Sequence, residues 1–363
     1  MANVLEYLEW RGDVPFDVAP FNEVDNYIIS KIGTPDYTGV IPVGFTELTM
    51  REAADRYFGL YGDEGRYLGL LASPSINKVI KKLPDTARYG GLTLSGFVNR
   101  IVPEETKQFS ALTVGLPDGR HYVSYRGTDD TLVGWKENLL ISVEGTVGAQ
   151  TDALKYLIAA AEAFDGPIIV GGHSKGGNLA VYAAANAPRE VQERIQVIYN
   201  NDGPGFRAEF LAEAGYRAVR DKVRTLVPQH TIVGTLLTQD EGFIIVKSSK
   251  AGIAAHDGFN WETRKDGFIR CARLSRGSRA FEDSMTSVLE KMDDEERREF
   301  IDELYDVLRA AGAETLTDIT DHKLKQAVSI LNSFRKGSRT KKFVLEIIES
   351  MLKELAQFKK DQK

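Results

Sequence analysis

Residues 172–176, Gly-His-Ser-Lys-Gly, lie between an apolar run and a stretch of small helix-forming residues. The run before them is Pro-Ile-Ile-Val at 167–170, and the alanine-rich stretch after them is 178–185. A strand, a Gly-x-Ser-x-Gly motif and a helix in this order predict a sharp turn that holds the serine in a strained backbone conformation. Glycines are needed on both sides because the strand and the helix approach closely. We interpret Ser174 as a nucleophile; an ordinary serine in a glycine-rich turn is the alternative.

The chain around this motif has the alternating pattern of predicted strands and helices that is typical of an α/β fold. Runs that predict strands are 91–98, 109–115, 121–125, 167–170, 195–199, 223–227 and 243–246. A helix capped by Thr151 and ended by Gly166 precedes the motif. Strands that alternate with helices over 150–250 predict right-handed crossovers and a largely parallel central sheet. In such a sheet, chemistry gathers at the carboxyl ends of the strands.

After about residue 263, apolar residues recur with a helical period instead. The four stripes fall within 281–292, 300–308, 324–331 and 343–358. Because the stripes are wide, we expect a small helical module packed on itself or on the core. The alternative is an appendage that binds a protein partner or self-associates. The predicted division is an irregular, helical N-terminal part at 1–88, an α/β core at 89–262 and an all-helical extension at 263–363.

The composition narrows the class of protein. The 363 residues carry a net charge of −6, which argues against nucleic-acid binding because phosphate contacts need a basic surface. Cys271 is the only cysteine, so an intramolecular disulfide or a cysteine-based zinc site is excluded. No 18-residue apolar run or secretory leader pattern occurs in the sequence, and we expect a cytoplasmic protein without an integral membrane segment.

A nucleophilic serine needs a histidine base and a carboxylate that orients it, usually in the chain order serine, acid, histidine. His256 follows the last predicted strand and is the expected base; His230 is the reserve, and His322 is expected to be a solvated helix residue. Asp202 lies at the end of the strand after the motif and is the expected acid. An Asx turn is the alternative there. Asp240 is the competing carboxylate.

The serine also needs hydrogen-bond donors for the oxyanion of an acyl-transfer intermediate. The backbone N–H of Lys175, directly after the nucleophile, is the expected first donor. Thr128, in the polar loop after the strand 121–125, offers a backbone N–H and a hydroxyl as the second. A simple polar turn capped by Asp129 is the alternative.

Several motifs together resemble a known family. Tyr-Arg-Gly-Thr at 125–128, Gly-Trp-Lys-Glu-Asn at 134–138 and the serine motif resemble the class 3 lipase branch of the α/β-hydrolases. Trp-Arg-Gly-Asp at 10–13, Pro-Phe-Asn-Glu-Val-Asp-Asn at 20–26, Asn-Asp-Gly-Pro-Gly-Phe at 201–206 and His256-Asp257 with Trp261 look like a bacterial family of uncharacterised lipase-like α/β-hydrolases. This resemblance spans about residues 5–310.

The resemblance implies an α/β-hydrolase fold with Ser174 as nucleophile, His256 as base, and Thr128 and Lys175 as oxyanion donors. The chain departs from class 3 lipases at one place. Those enzymes take their acid from after the strand that ends here at 227–228, where this chain has Gln229 and Thr231. Either Asp202 has replaced that acid, or the triad is impaired.

The sequence therefore predicts a serine hydrolase that cleaves a carboxylic ester, with a small acyl ester or a lipid-like molecule as substrate. No cofactor or metal is required by this chemistry. Residues 139–150 are either a lid over an apolar acyl pocket or an ordinary core connection. The alternatives in function are a thioesterase, amidase or acyltransferase on the same scaffold, or a catalytically impaired hydrolase that serves as a binding module.

Overall fold

The β-rich runs form one eight-stranded sheet whose strand order follows the chain from β1 to β8. The structure is a computed structural model and describes residues 2–69, 72–129, 131–141, 143–279, 293–310 and 312. The strands of this sheet are β1 (Leu48–Thr49), β2 (Thr93–Val102), β3 (Lys107–Gly115), β4 (His121–Tyr125), β5 (Ile168–His173), β6 (Ile195–Asn201), β7 (Val223–Pro228) and β8 (Phe243–Val246). Strands β1 to β4 pair antiparallel, and β4 to β8 pair parallel. The predicted α/β fold with a largely parallel sheet is confirmed.

Helices cover both faces of this sheet. They are α1 (Val4–Arg11), α2 (Glu23–Ile32), α3 (Met50–Tyr61), α4 (Ser75–Lys82), α5 (Leu132–Leu140), α6 (Gly148–Ala163), α7 (Lys175–Asn186), α8 (Arg189–Arg194), α9 (Ala208–Leu211), α10 (Ala214–Val219), α11 (Ile253–His256) and α12 (Asp294–Ala310). A small hairpin, β9 (Thr263–Arg264) and β10 (Gly267–Phe268), follows α11. The prediction that Thr151 caps α6 is wrong: the Gln150 side chain accepts a hydrogen bond from the Val147 amide, and the helix starts earlier.

Two hydrophobic cores lie on opposite faces of the sheet, because successive side chains of a strand point to opposite faces. Leu112 and Ile169 belong to the core that contains α1 to α4. Ala111 and Val170 belong to the core that contains α6 and α7. Because both faces of the parallel strands are buried, a site can form only at the carboxyl ends of the strands, where polar residues reach the surface.

The N-terminal helices are joined to the rest by a buried ion pair. Asp25 on α2 and Arg88 are both fully buried, and Arg88 Nε donates to Asp25 Oδ1 at 2.7 Å. Arg88 Nη1 also donates to the carbonyls of Val14 and Ala19, each at 2.9 Å. The hydroxyl of Tyr89 donates to the same carboxylate at 2.6 Å. The otherwise irregular segment between α1 and α2 is thus fixed by one guanidinium.

Helix α12 confirms the predicted helical stripe at 300–308. Its Ile301 packs against Leu140, Ile141, Val143 and Val147, which follow or end α5. Burial under α12 favours the core connection over the lid for this segment. The stripes at 281–292, 324–331 and 343–358, and His322, lie outside the described residues. The division into three parts stays a prediction.

Candidate active site

Ser174 is the single residue between the end of β5 and the start of α7. Its φ of 58° and ψ of −132° lie where residues other than glycine are rarely found. A Cβ on Gly172 would lie 2.3 Å from the carbonyl carbon of Gly176, and one on Gly176 would lie 2.1 Å from the Tyr125 carbonyl oxygen. Both glycines are therefore required by backbone contact. The geometry is the strained turn that the motif predicts, with the serine partly exposed.

Asp202 and His256 meet although 54 residues separate them. His256 Nδ1 lies 2.7 Å from Asp202 Oδ2. Asp202 is fully buried at the end of β6, with a φ of 52°, and His256 ends α11 with its side chain 17% exposed. A carboxylate only accepts, so Nδ1 is the donor, and Nε2 of the neutral ring is left as the proton acceptor. This is the tautomer that a general base requires.

Two further donors hold the Asp202 carboxylate. Thr231 Oγ1 donates to Oδ1 at 2.6 Å, and the Gly234 amide donates to the same oxygen at 3.2 Å. Burial raises the pKa of Asp202, and the bonds from His256, Thr231 and Gly234 oppose that rise by favouring the ionised form. Thr231 was missed by the sequence analysis, which noted only that its segment lacks a carboxylate.

The reserve candidates lie elsewhere. His230 Nε2 lies 2.8 Å from the Gln229 side-chain nitrogen, and neither Asp202 nor Ser174 is among its partners. Asp240 is half exposed and pairs with Arg220 at 3.0 Å. The structure therefore brings Asp202 and His256 together and leaves both reserves apart from them.

His173, directly before the serine, packs against the base. Its ring centroid lies 4.4 Å from that of His256, and its Nε2 donates to the His256 carbonyl at 2.7 Å. Burial, with the nearby charges of Lys31 and His256, holds the pKa of His173 well below 6.5, so the ring stays neutral. Burial also lowers the pKa of Lys31 to about 8. His173 is a variable position of the Gly-x-Ser-x-Gly motif, so the sequence pattern does not predict this contact.

No hydrogen bond joins Ser174 Oγ to His256 among the described residues. Catalytic hydrogen bonds are often long or poorly aligned without substrate and tighten when it binds. The elbow and the His256 loop are connected instead through the His173 ring and the His256 carbonyl.

The loop after β4 runs directly along the serine. A Cβ on Gly127 would lie 2.6 Å from the His173 carbonyl oxygen and 3.1 Å from Ser174 Cβ. Thr128 Oγ1 is buried and has no hydrogen-bond partner in the part of the chain that the structure describes. Lys175 is the first residue of α7, and an amide in a first helical turn has no partner within its helix. The Thr128 hydroxyl and the Lys175 backbone amide thus have no hydrogen-bond partner among the described residues, and both lie on segments that adjoin Ser174.

A cavity of about 380 Å³ is lined by neither Ser174 nor His256. Its lining includes the apolar side chains of Ile141, Val143, Phe206 and Phe210, and Asp294 of α12. The described residues contain no cluster of three or more His, Cys, Asp or Glu side chains that could hold a metal ion. No helix in the described ranges has the length and hydropathy needed to cross a membrane.

Comparisons with known proteins identify one family. The family model described as Mbeg1-like matches residues 83–306, more than half of the chain. This range includes the elbow, the loop after β4, Asp202, His256 and most of α12. No curated protein matches the chain.

Lipases are among the similar solved structures. A deletion mutant of the Rhizomucor miehei lipase propeptide complex is 14% identical, with 43% of this chain and 56% of that chain covered and a TM-score of 0.31. M37 lipase is 14% identical, with coverages of 66% and 79% and a TM-score of 0.36. A triacylglycerol lipase with a serine protease triad as its catalytic centre is 16% identical, with coverages of 61% and 76% and a TM-score of 0.34. These likenesses are distant and carry no conclusion about chemistry.

Proposed function

Because the chain belongs to the Mbeg1-like family, a lipase-like family of α/β-hydrolases, we propose that it is a serine hydrolase that cleaves carboxylic esters through an acyl-enzyme on Ser174. The observation that carries the proposal is the 2.7 Å bond between Asp202 and His256, beside a serine held on a strained turn. A buried carboxylate that orients a histidine next to such a serine is the arrangement that activates a hydroxyl for acyl transfer.

The residues have separate roles in this proposal. Ser174 Oγ attacks the ester carbonyl carbon while His256 Nε2 takes its proton. The tetrahedral oxyanion accepts hydrogen bonds from the Lys175 amide and from Thr128. Collapse expels the alcohol, which receives the proton from His256, and a water activated by the same nitrogen then hydrolyses the acyl-enzyme. Asp202 stays ionised and fixes the imidazole tautomer.

This chemistry identifies the bond that is cleaved, a carboxylic ester. An acyl ester or a lipid-like ester fits the proposed serine chemistry. Self-association or a protein partner at the helical extension stays a prediction.

The proposal is tested by intact-mass labelling with a fluorophosphonate probe, in which Ser174 Oγ bonds to phosphorus and fluoride leaves. We expect stoichiometric labelling of the wild type and none of Ser174→Ala. Asp202→Asn should label about 10³- to 10⁴-fold more slowly, because an amide at this place favours the wrong histidine tautomer. Asp240→Asn is the matched control, because this exposed carboxylate pairs with Arg220 and not with His256; its rate should equal that of the wild type.

A binding module without catalytic activity is the second candidate. The observation that favours it is the missing hydrogen bond between Ser174 and His256. If folded wild-type protein is not labelled, even with detergent to open an occluded site, the hydrolase proposal fails and the binding module takes its place.

A further inference from the structure

The side chain of Lys175 turns away from solvent although its backbone amide is the proposed oxyanion donor. Lys175 is fully buried, and its Nζ makes three short contacts. They are the Gln108 carbonyl oxygen at 2.7 Å, Gln108 Oε1 at 2.7 Å and Glu137 Oε2 at 3.0 Å. The three hydrogens of the ammonium are matched by three acceptors, so the group is held in one direction.

Glu137 is equally enclosed, with 1% of its surface exposed. Besides the Lys175 ammonium, its Oε2 accepts a hydrogen bond from the backbone N–H of Gln108 at 2.9 Å. Its Oε1 accepts one from the backbone N–H of Ala149 at 2.8 Å. One carboxylate therefore ties α5 to three elements: the start of α7, strand β3 and the first turn of α6.

Helix α5 in turn carries the loop that holds Thr128. Asp129 Oδ1 accepts from the Thr131 amide at 2.9 Å, and Thr131 Oγ1 caps the helix by accepting from the Gly134 amide at 3.1 Å. A Cβ on Gly134 would lie 3.0 Å from Gln108 Oε1 and 3.3 Å from Thr128 Cγ2. Gln108 Oε1, which accepts a hydrogen bond from the Lys175 ammonium, thus lies next to the start of α5, beside Thr128.

Stability alone does not call for such a pair. Replacing a buried ion pair with apolar residues of similar volume is often neutral or stabilising, because desolvation offsets the attraction. Directed hydrogen bonds in a low-dielectric interior do fix the relative position of the groups that make them.

We propose that Lys175 and Glu137 are positioning residues whose buried pair holds the Thr128 loop against the elbow, so that the Thr128 and Lys175 donors point at one oxyanion. The inference rests on the proposed function and adds the side chains that align its oxyanion site. An error of about 1 Å in such an alignment costs on the order of 10²-fold in rate.

The test uses Lys175→Met, Glu137→Gln and the double variant, with Lys107→Met as the matched control. Lys107 lies on the same strand as Gln108, and its side chain is 15% exposed. It pairs with Glu105 at 2.6 Å and with Asp152 at 3.4 Å but not with Glu137. Each single variant leaves a buried charge or donor without its partner and should lower both the melting temperature and the labelling rate. The double variant should recover most of the melting temperature while it still reacts with the fluorophosphonate about 10²-fold more slowly. With a soluble ester, kcat should fall and KM should stay unchanged.

A double variant that labels at the wild-type rate would overturn the inference and leave the proposed function intact. Absence of labelling in the folded wild type would overturn the proposed function, and the inference with it. Amide hydrogen exchange gives a second readout in any variant that folds: exchange at 126–134 should rise in Glu137→Gln while 121–125 stays protected. Unchanged exchange at 126–134 in that variant would also count against the positioning role.

Discussion

At the end of β6, Asp202 lies 2.7 Å from His256, whereas the resemblance to class 3 lipases implies a carboxylate after β7. The two strand ends are neighbours, because β6 and β7 pair in parallel. The β7 end still takes part, since Thr231 donates to the Asp202 carboxylate at 2.6 Å. A carboxylate at the end of β6 thus contacts both His256 and a hydroxyl donor that follows β7.

His173 supplies a prediction at the same scale. Its folded-state pKa lies well below that of the unfolded chain because of burial, so the unfolded chain binds a proton near pH 6 that the folded protein does not. The part of the free energy of unfolding that depends on His173 should be fully present above the unfolded-state pKa of about 6.5. It should fall as the pH drops below that value, by up to about 1.4 kcal/mol per pH unit. In His173→Gln, which keeps a donor for the His256 carbonyl, this part of the slope should vanish. Urea unfolding at pH 5, 6 and 7 measures it; parallel pH curves for the two proteins would refute the assignment.

At the scale of elements, the attachment of α2 depends on charges that are out of reach of solvent. Asp25 compensates the buried Arg88 guanidinium and accepts from the hydroxyl of Tyr89. Burial raises the pKa of Tyr89 well above its ordinary value, and the Asp25 charge adds to this, so the hydroxyl keeps its proton and remains a donor. The segment before β1 therefore has a polar anchor inside its apolar core.

The anchor predicts a large effect from a small substitution. Asp25→Asn leaves the Arg88 charge buried and uncompensated and should lower the free energy of unfolding by about 3–5 kcal/mol. Denaturant unfolding followed by far-UV circular dichroism measures the loss. Arg51→Met is the control, because the Arg51–Asp85 pair is exposed on both sides and screened by water. An equal shift in both variants would contradict the special role of the buried pair.

For the whole molecule, α12 adds a layer outside the sheet-flanking helices. It contacts α5 through Ile301 and through Lys136, whose Nζ lies 2.7 Å from Asp302 and 4.6 Å from the centre of the Tyr305 ring. Arg298 and Glu144 add a contact at 2.8 Å. The segment 140–147, which follows α5, is thus covered by a helix more than 150 residues later in the chain.

Ile301→Ala tests how firmly this layer is held. Removing the buried side chain should cost about 2–4 kcal/mol in unfolding free energy, because a cavity remains between α12 and α5. Chemical denaturation gives the loss, and hydrogen exchange should become faster at 143–147. Asp306→Ala, at an exposed position of the same helix, should change neither; a similar loss in both would contradict the assignment of the effect to packing at Ile301.

Local patterns predicted the elements well. Residues 168–186 fold as expected because alternating apolar runs and two glycines leave few other conformations for the turn at Ser174. The boundary at Thr151 was wrong because a glutamine side chain three residues into the helix gave the earlier start. The sequence placed Asp202 at the end of a strand and His256 in the loop after the last predicted strand. Both positions fall at the carboxyl edge of a parallel sheet.

Contacts between distant segments escaped the sequence analysis. Nothing local marks Thr231 as a donor to Asp202, His173 as a neighbour of His256, or Glu137 as the partner of Lys175. Each depends on which residues the packing of separate elements brings within 3 Å.

The order of the strands has a consequence for synthesis. Because each strand of the sheet pairs with the one made before it, the sheet can grow as the chain leaves the ribosome. Helix α2 has to wait, since its Asn26 donates to Asn201 and its Tyr27 to Asp257, 175 and 230 residues later. At about 5–20 residues per second, the second contact closes on the order of 10–50 s after Tyr27 is made. The nascent chain therefore completes the surroundings of Ser174 only with Asp257, about 4–17 s after the serine itself has been translated.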